Sequence, residues 1–391
     1  MASIGFQLSP SVLKWARTSM GYTPDQAAKK IGVTLEKYES WEAGSKLPTY
    51  RQLEDLAEKV YNRPLAILVL TEPPKENPIQ KDFRSISNIE MTDFSPEIRL
   101  ALRRAKRYQL ILEEVTPKDF KVKFKEFRVS LSDNPISASK KFREFLGLTL
   151  DEQKSWRYEA AFKNFKQRIE SIGIYVFQIK MSMQEARALC LTGNFPIVVL
   201  NKDDSNNGKI FSIFHETCHV LFNTNDIFKD SKSGVLNDHY EKIENFCNQF
   251  AASFLVPDES FQSDLQMLEI KKRGIADKDI QKLAKSYNVS NEVIARKLLL
   301  LKLISEDIFW AKKRLWDSIA QANKEKENEK LKDMDVSGID QGIKMISEKG
   351  RPYVANVVNA YQQGLISSSD LSNYLEIKLN HLPKIIERLN S

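Results

Sequence analysis

The sequence has few histidines and cysteines and no long hydrophobic run. Its longest apolar runs, Pro64–Leu70 and Leu298–Leu301, are far shorter than the roughly 18–20 residues that span a bilayer. The first residues also lack the basic and long apolar segments of a secretory signal peptide. The three cysteines are an odd set without paired spacing, which disfavours a disulfide framework. We therefore expect a cytoplasmic protein with no membrane partner.

The remaining composition is that of an ordinary globular protein. The 391 residues are 42% hydrophobic and 28% charged, enough for two or three domains with a real core. The net charge is +7, but residues 1–70 contribute little of it, with nine Lys and Arg against seven Asp and Glu. Residues 97–170 carry 18 basic against 11 acidic side chains, which equals the whole excess. The pattern fits either a solvated helix face or a phosphate-binding surface in this central segment.

Residues 9–70 have the pattern of several short helices joined by tight turns. Thr23, followed by Pro24, and Thr34 are typical helix N-caps, and Gly32 and Gly44 are typical helix ends. Such a series predicts a helix-turn-helix bundle over residues 1–72. The polar, proline-rich stretch that follows predicts a linker over residues 73–94.

The rest of the chain predicts an α+β, mainly helical fold with a small sheet. Residues 95–310 form the second predicted domain and residues 311–391 a C-terminal helical module. The expected helices cover about 95–114, 137–146, 151–171 and 209–222, and a helical pair covers 275–305. The expected strands cover 173–180, 188–191 and 195–201, with a hairpin turn at 192–194. We expect residues 195–201 to expose an edge that aligns an extended substrate by strand addition.

The segment His215-Glu216-Thr217-Cys218-His219 is the strongest chemical signal. On a helix, residues four apart share a face, so His215 and His219 can bind one Zn²⁺ ion with Glu216 beside it. A strand feeding an apolar helix is the setting of a metallopeptidase motif. The alternative is a buried histidine pair on a core helix, with no metal.

A catalytic zinc site takes a third protein ligand, and His239, Glu241 and Glu244 are the candidates downstream. Glu244 opens a predicted helix with an apolar face, and small residues on that face, Cys247 among them, would let it approach the His215 helix. This packing favours Glu244. His239 could instead lie in a loop or stabilise an oxyanion, and the Cys218 and Cys247 thiols are soft alternative ligands.

These residue types predict peptide hydrolysis. Zinc lowers the pKa of its bound water and polarises the scissile carbonyl. Glu216 is the catalytic residue expected to accept the water proton and to pass it to the leaving amine.

Both metal-binding segments resemble a known family. His215–His219, followed by the run Glu244-x-x-Cys-Asn-x-Phe-Ala-Ala-x-x-Leu-Val-Pro, is similar to the ImmA/IrrE zinc metallopeptidases. The resemblance implies a zincin-like domain in which Glu244 is the third ligand. Trp41–Gly44 and Tyr61–Ala66 resemble the XRE-type helix-turn-helix domain that is often fused to this peptidase. Asp82–Arg84 resembles the linker of such fusions, and Asp370–Ser372 resembles their C-terminal segment.

The resemblance implies a zinc endopeptidase that cleaves a DNA-bound repressor or another regulatory protein. The setting it implies is a mobile element, a stress response or a toxin–antitoxin pair. The alternative is a helix-turn-helix transcriptional regulator or toxin–antitoxin component whose zinc domain senses or binds partners with little proteolysis. Either protein could form a homo-oligomer.

The chain departs from the family pattern at the metal site and in the helix-turn-helix. Cys218 replaces the usual glycine and Cys247 the usual alanine, and both are small enough to keep the site. Pro24 stands where many XRE domains have a phosphate-contacting glutamine, and the expected recognition helix carries Glu36, Glu39 and Glu42, which repel phosphates. The candidate DNA-binding residues are Thr34, Lys37, Tyr38 and Ser40. The alternative is a helix-turn-helix that contacts protein, such as another repressor's domain.

Overall fold

The structure is a computed structural model. It describes residues 8–75, 94–117, 122–222, 236–268, 275–332 and 340–390. The chain divides into two units, residues 1–107 with 180–186 and residues 108–179 with 187–391. Within the described ranges, no helix is both long and apolar enough to cross a membrane. Most of the predicted linker, including Asp82–Arg84, lies outside the described residues.

The first unit starts with a series of short helices, as predicted. These are α1 (Pro10–Met20), α2 (Pro24–Ile31), α3 (Leu35–Glu42), α4 (Tyr50–Asp55) and α5 (Leu65–Leu68), with a π-helical turn at Leu56–Tyr61. The Thr23 hydroxyl accepts a hydrogen bond from the Gln26 amide, and the Gln26 side chain accepts one from the Thr23 amide. Gly32 ends α2 with a φ of 71°, a left-handed conformation that glycine adopts without strain. Local caps therefore set these boundaries.

Arginines of the next helix, α6 (Pro96–Val115), bond to the ends of the first helices. Arg99 donates to the Thr18 carbonyl at 3.0 Å, and Arg103 donates to the Tyr61 and Asn62 carbonyls at 2.6–3.2 Å. Carbonyls at helix ends have no intrahelical donor, so a guanidinium satisfies them well. Arg99 and Arg103, which contribute to the central positive charge, therefore stabilise the fold.

The second unit contains a three-stranded sheet of β1 (Tyr175–Ile179), β2 (Ala188–Leu191) and β3 (Ile197–Asn201), in the order β1-β3-β2. β1 pairs with β3 in parallel, and β2 pairs with β3 antiparallel, with Leu191 opposite Ile197. The predicted hairpin is thus present. The prediction that residues 195–201 expose an edge is wrong, because β3 is the central strand and every one of its residues is buried.

Helices surround this sheet and continue to the C-terminus. In chain order they are α7 (Pro135–Phe145), α8 (Leu150–Ser155), α9 (Ala161–Glu170), α10 (Asn206–Leu221), α11 (Leu236–Leu255), α12 (Asp258–Met267), α13 (Asp277–Tyr287) and α14 (Asn291–Leu300). The C-terminal region adds α15 (Glu306–Lys332), α16 (Gln341–Lys349), α17 (Arg351–Gln362), α18 (Ser368–Leu375) and α19 (Leu382–Asn390). Short 3₁₀ turns lie at Lys123–Glu126, Tyr158–Ala160 and Leu379–His381. The fold is mainly helical with a small sheet, as predicted.

The single helix predicted over 151–171 is divided into α8 and α9. Trp156 is extended, with a ψ of 144°, and its ring packs edge-on against Phe165. The side-chain amide of Asn288 donates to the carbonyls of Gln153 and Trp156 at 2.8 and 3.1 Å. Asn288 thus donates to carbonyls that would accept backbone amides in a continuous helix. Because Asn288 is distant in the chain, the sequence around Trp156 does not reveal the break.

Candidate metal centre and DNA-binding surface

Helix α10 places two imidazoles on one face. It begins after Ser205, whose hydroxyl accepts from the Gly208 amide, three residues before the predicted start. His215 and His219 lie one turn apart, and their Nε2 atoms are 3.1 Å from each other. His219 is 1% exposed, whereas the His215 side chain keeps 14% of its surface accessible. The pair is therefore largely buried, and solvent reaches it at His215.

Helix α11 brings the Glu244 carboxylate to both imidazoles. Oε1 lies 3.1 Å from His219 Nε2, and Oε2 lies 3.3 Å from His215 Nε2. Donor atoms of these three residues lie within 4.8 Å of one another, the only such group among the described residues. A tetrahedral zinc ion with bonds of 2.0–2.2 Å separates its ligands by about 3.3–3.6 Å. The observed spacings of 3.1–3.3 Å are close to the short end of this range, and the donors are two imidazoles and a carboxylate, which zinc accepts.

Small and aromatic side chains hold α10 against α11. Cys218 and Cys247 are fully buried. The rings of Phe214 and Phe254 stack with their centroids 4.0 Å apart. Small residues at the contact let the helix backbones approach, and the stacked rings fill the space beside them.

Glu216 lies in this buried interface beside the three donors. It is 4% exposed, and its Oε2 atom has no hydrogen-bond partner among the described residues. A buried carboxylate oxygen without a partner is costly, and a catalytic role or an absent water or ion is among the explanations for such an atom. The Glu216 Oε2 atom is therefore free to accept a hydrogen bond from a water molecule or a substrate.

The electrostatics of the site favour an ionised Glu244. Burial alone would raise the pKa of this carboxyl, but the neighbouring imidazoles of His215 and His219, 3.3 and 3.1 Å away, outweigh burial and lower it. The carboxylate is therefore charged at neutral pH, as a metal ligand must be.

The other ligand candidates lie elsewhere. His239 is half-buried and Glu241 is exposed on α11, and neither belongs to the three-residue group. Cys218 and Cys247 are also outside it. Burial raises the pKa of both thiols.

Two further features of the site were missed in the sequence. Half-buried Tyr240 lies one helical turn before Glu244 on α11, and burial, together with the charge of Glu244, raises the pKa of its hydroxyl. The ring of Phe211 lies 6.1 Å from that of His215, and the Arg296 guanidinium lies 5.2 Å from the Phe211 ring. The four-residue spacings of Tyr240 to Glu244 and of Phe211 to His215 were the available signals.

The candidate DNA-binding residues of α3 have different surroundings. Lys37 is exposed, and the hydroxyl of half-buried Ser40 donates to the Lys37 carbonyl. Thr34 is exposed, and its hydroxyl accepts from the Lys37 amide as the N-cap. Tyr38 is fully buried, and its hydroxyl lies 2.7 Å from that of Tyr61, so the prediction that it faces a groove is wrong. Its i, i+3 spacing to Trp41 is that of a core residue.

The three glutamates expected to repel DNA are not equivalent. Glu36 and Glu39 are exposed on α3. Glu42 instead turns inward and accepts hydrogen bonds from the Arg17 guanidinium at 2.7 and 2.9 Å. The acidic character of this surface is therefore weaker than the sequence indicates.

Comparisons with known families agree with this architecture. Residues 169–299 match the peptidase family model described as IrrE N-terminal-like domain, and residues 13–65 match the one described as helix-turn-helix. A search of curated proteins finds no match. The two matches confirm the fusion that the motifs indicate, and the three donor residues all lie within the IrrE-like segment.

Proposed function

We propose that the chain is a zinc-dependent endopeptidase that cleaves a DNA-bound repressor or another regulatory protein in the cytoplasm. One observation carries the proposal: His215, His219 and Glu244 converge at ligand spacing while buried Glu216 keeps an oxygen without a partner. A purely structural histidine pair would not need that second carboxylate in the same interface.

Each residue has a defined part in the proposed reaction. His215 and His219, through Nε2, and Glu244, through its carboxylate, would hold the zinc ion. When bound, zinc supplies a Lewis acid that polarises the scissile carbonyl and acidifies water. Glu216 takes one proton from the attacking water as the C–O bond forms, and delivers it to the amide nitrogen as the C–N bond breaks. Water and the peptide bond are thereby converted into a carboxyl group and an amine.

The sheet offers a place for the substrate, on a different strand from the predicted one. Strand β2 packs beside α10 and pairs on one side with β3. Among the described strands it has no second neighbour, so its outer backbone groups can pair with an extended peptide. Such pairing would select a flexible segment of the target protein.

The helix-turn-helix domain would bring the peptidase to its target. Under this proposal Thr34, Lys37 and Ser40 contact DNA, and the peptidase domain meets a repressor bound nearby. The alternative, a regulator with little proteolysis, differs in one measurable respect: substrate cleavage is absent.

Purified full-length chain, incubated with the repressor encoded beside its gene, tests the proposal. We expect about one zinc per chain and cleavage of the repressor. Glu216→Gln should keep the zinc and lose about 10²–10⁴-fold in rate, the usual contribution of a general base. Glu241→Gln, an exposed change on α11, is the matched control and should cleave normally. Absence of stoichiometric metal, or undiminished cleavage by Glu216→Gln, would overturn the peptidase assignment.

A further inference from the structure

An arginine lies close to the more accessible side of the metal centre. Phe211 precedes His215 by one turn of α10, and the centroids of their rings are 6.1 Å apart. The guanidinium of Arg296, on α14, lies 5.2 Å from the centroid of the Phe211 ring. One aromatic side chain therefore separates this cation from His215, the more exposed of the two histidines.

Most of the hydrogen-bond donors of Arg296 are unused. A guanidinium carries five N–H donors in one plane. Among the residues that the structure describes, Arg296 has one acceptor, Glu292 Oε1, which lies 3.3 Å from Nη2. The rings of Phe211 and Phe309 lie 5.2 and 5.3 Å from the guanidinium as cation–π partners, a contact that leaves in-plane N–H groups available. The side chain is 24% accessible, so a ligand can reach these donors.

Glu292 offsets only part of the positive charge around it. Its carboxylate is shared by Arg296, by Arg187 at 3.4 Å and by Lys313 at 3.1 Å. Asp317 pairs with Arg187 and Lys313, at 3.6 and 3.4 Å. Arg296 therefore has a share in one carboxylate, and two other cations compete for the same group.

The same ion pairs connect Arg296 to the strand proposed to align the substrate. Arg187 directly precedes β2, and its Nη1 atom contacts Oε2 of Glu292 while Arg296 contacts Oε1. Arg296 thus lies near both the metal centre and the start of β2. A peptide paired with the outer edge of β2, with its scissile bond at the metal centre, would pass this guanidinium.

We propose that Arg296 is a specificity-determining residue that binds a carboxylate of the substrate within about three residues of the scissile bond. The inference rests on the proposed function, because it names the substrate class of that site. An extended peptide advances about 3.3 Å per residue, so the 6.1 and 5.2 Å steps from His215 to Phe211 and on to Arg296 span at most about three residues. A guanidinium binds a carboxylate through two parallel N–H···O bonds, which favours an acidic group over a neutral one.

Cleavage of capped peptides by the full-length chain tests the inference. Overlapping peptides from the repressor encoded beside the gene, acetylated and amidated at their ends, carry Glu, Gln or Lys at each position in turn. At one position, kcat/KM should be about 10–100-fold higher with Glu than with Gln, the usual range for a hydrogen bond to a charged group. Arg296→Gln should bring this ratio close to one, and Arg296→Glu should transfer the preference to Lys. A general folding defect would instead slow the cleavage of all peptides alike.

Arg168→Gln is the matched control. Arg168 is also a partly exposed arginine, 34% accessible, and it donates to Glu152 and to the Leu146 carbonyl. This variant should keep the wild-type preference. If the wild type prefers no acidic group at any position, or if Arg296→Gln keeps the preference, the inference is wrong. A preference seen only in peptides with a free carboxyl terminus, and lost in Arg296→Gln, supports the contact and identifies the terminal carboxylate as its source.

A binding measurement separates this inference from the peptidase assignment, and it decides the matter if the wild type cleaves no peptide. Fluorescent versions of the same peptides are titrated with Glu216→Gln. The Gln peptide should bind with a Kd about 10–100-fold higher than the Glu peptide, and adding Arg296→Gln should remove the difference. Equal affinities would then overturn the contact. The peptidase assignment fails on other results, namely absence of stoichiometric zinc or undiminished cleavage by Glu216→Gln.

Discussion

The guanidinium of Arg17 in α1 and the carboxylate of Glu42 at the end of α3 form a two-point ion pair, with hydrogen bonds of 2.7 and 2.9 Å. Both side chains are nearly buried, at 9% and 11% exposure. The Tyr38 hydroxyl also donates to Glu42, at 3.2 Å. A carboxylate expected to face DNA is thus part of the interior that joins the first and third helices.

Breaking this pair should destabilise the helix-turn-helix. Arg17→Met keeps an apolar stem but leaves Glu42 buried without its cation, which typically costs about 3–5 kcal/mol. Hydrogen exchange of residues 10–61 in the full chain should show faster opening by that free energy. Lys29→Met removes the exposed pair with Asp25, where the side chains are 76% and 50% accessible, and should cost less than about 1 kcal/mol. Equal losses from the two changes would contradict a structural role for Glu42.

The proposed DNA contact predicts a change in salt dependence. Lys37 is the exposed cation among the candidate residues of α3. If its ammonium neutralises one phosphate, Lys37→Ala should reduce the slope of log K against log salt by about 0.9. Lys14→Ala, an exposed change on α1, should leave the slope unchanged. Titration of the chain against its own promoter region at several salt concentrations decides the matter, and a wild-type slope near zero would argue for a protein partner instead.

Metal binding should stabilise the second unit. Three donors from α10 and α11 meet at 3.1–3.3 Å, so an ion bound there links the two helices. Free zinc at 100 times its dissociation constant should add about 2.7 kcal/mol to the free energy of unfolding. Thermal melts with zinc and with a chelator measure this difference. His219→Ala should abolish it, whereas His381→Ala, in the 3₁₀ turn before α19, should retain it.

A buried glutamate predicts a pH effect on stability that is independent of the metal. Glu170 Oε1 lies 3.6 Å from Lys166 Nζ, and both side chains are under a tenth exposed. Burial raises the pKa of Glu170 to about 7, although Lys166 and Arg351 oppose the shift. The folded state then binds more protons than the unfolded state between the ordinary pKa of 4.5 and about 7. The free energy of unfolding should therefore fall as pH rises through this window.

Glu170→Gln tests this expectation. The difference in unfolding free energy between the variant and the wild type should change from pH 5 to pH 8, with a slope approaching about 1.4 kcal/mol per pH unit at most. Glu259→Gln affects an 85% exposed partner of Lys140 and should give a flat difference. A flat difference for Glu170→Gln would show that Glu170 titrates at its ordinary pKa.

Features that depend on neighbours in the chain were predictable. A threonine followed by proline caps α2, and the His-Glu-x-x-His spacing places two imidazoles on one face of α10. In both cases the geometry follows from a few consecutive residues, because a helix repeats every 3.6 residues. The same reasoning predicted α6 within one residue at either end.

Features that depend on distant partners were predicted less well. The gap between α8 and α9 needs Asn288, which lies more than 130 residues further along the chain. The central position of β3 needs β1 to pair on its far side, and a run of apolar residues does not reveal how many neighbours a strand has. Tyr38 and Glu42 turn inward because Tyr61 and Arg17 meet them there.

The metal centre combines residues whose positions follow from chain neighbours with one whose position depends on how two helices pack. His215, Glu216 and His219 were assigned from their spacing alone, since one helix sets their geometry. The choice among His239, Glu241 and Glu244 depended on how α11 packs against α10, and the tertiary structure brings only the Glu244 carboxylate to both imidazoles.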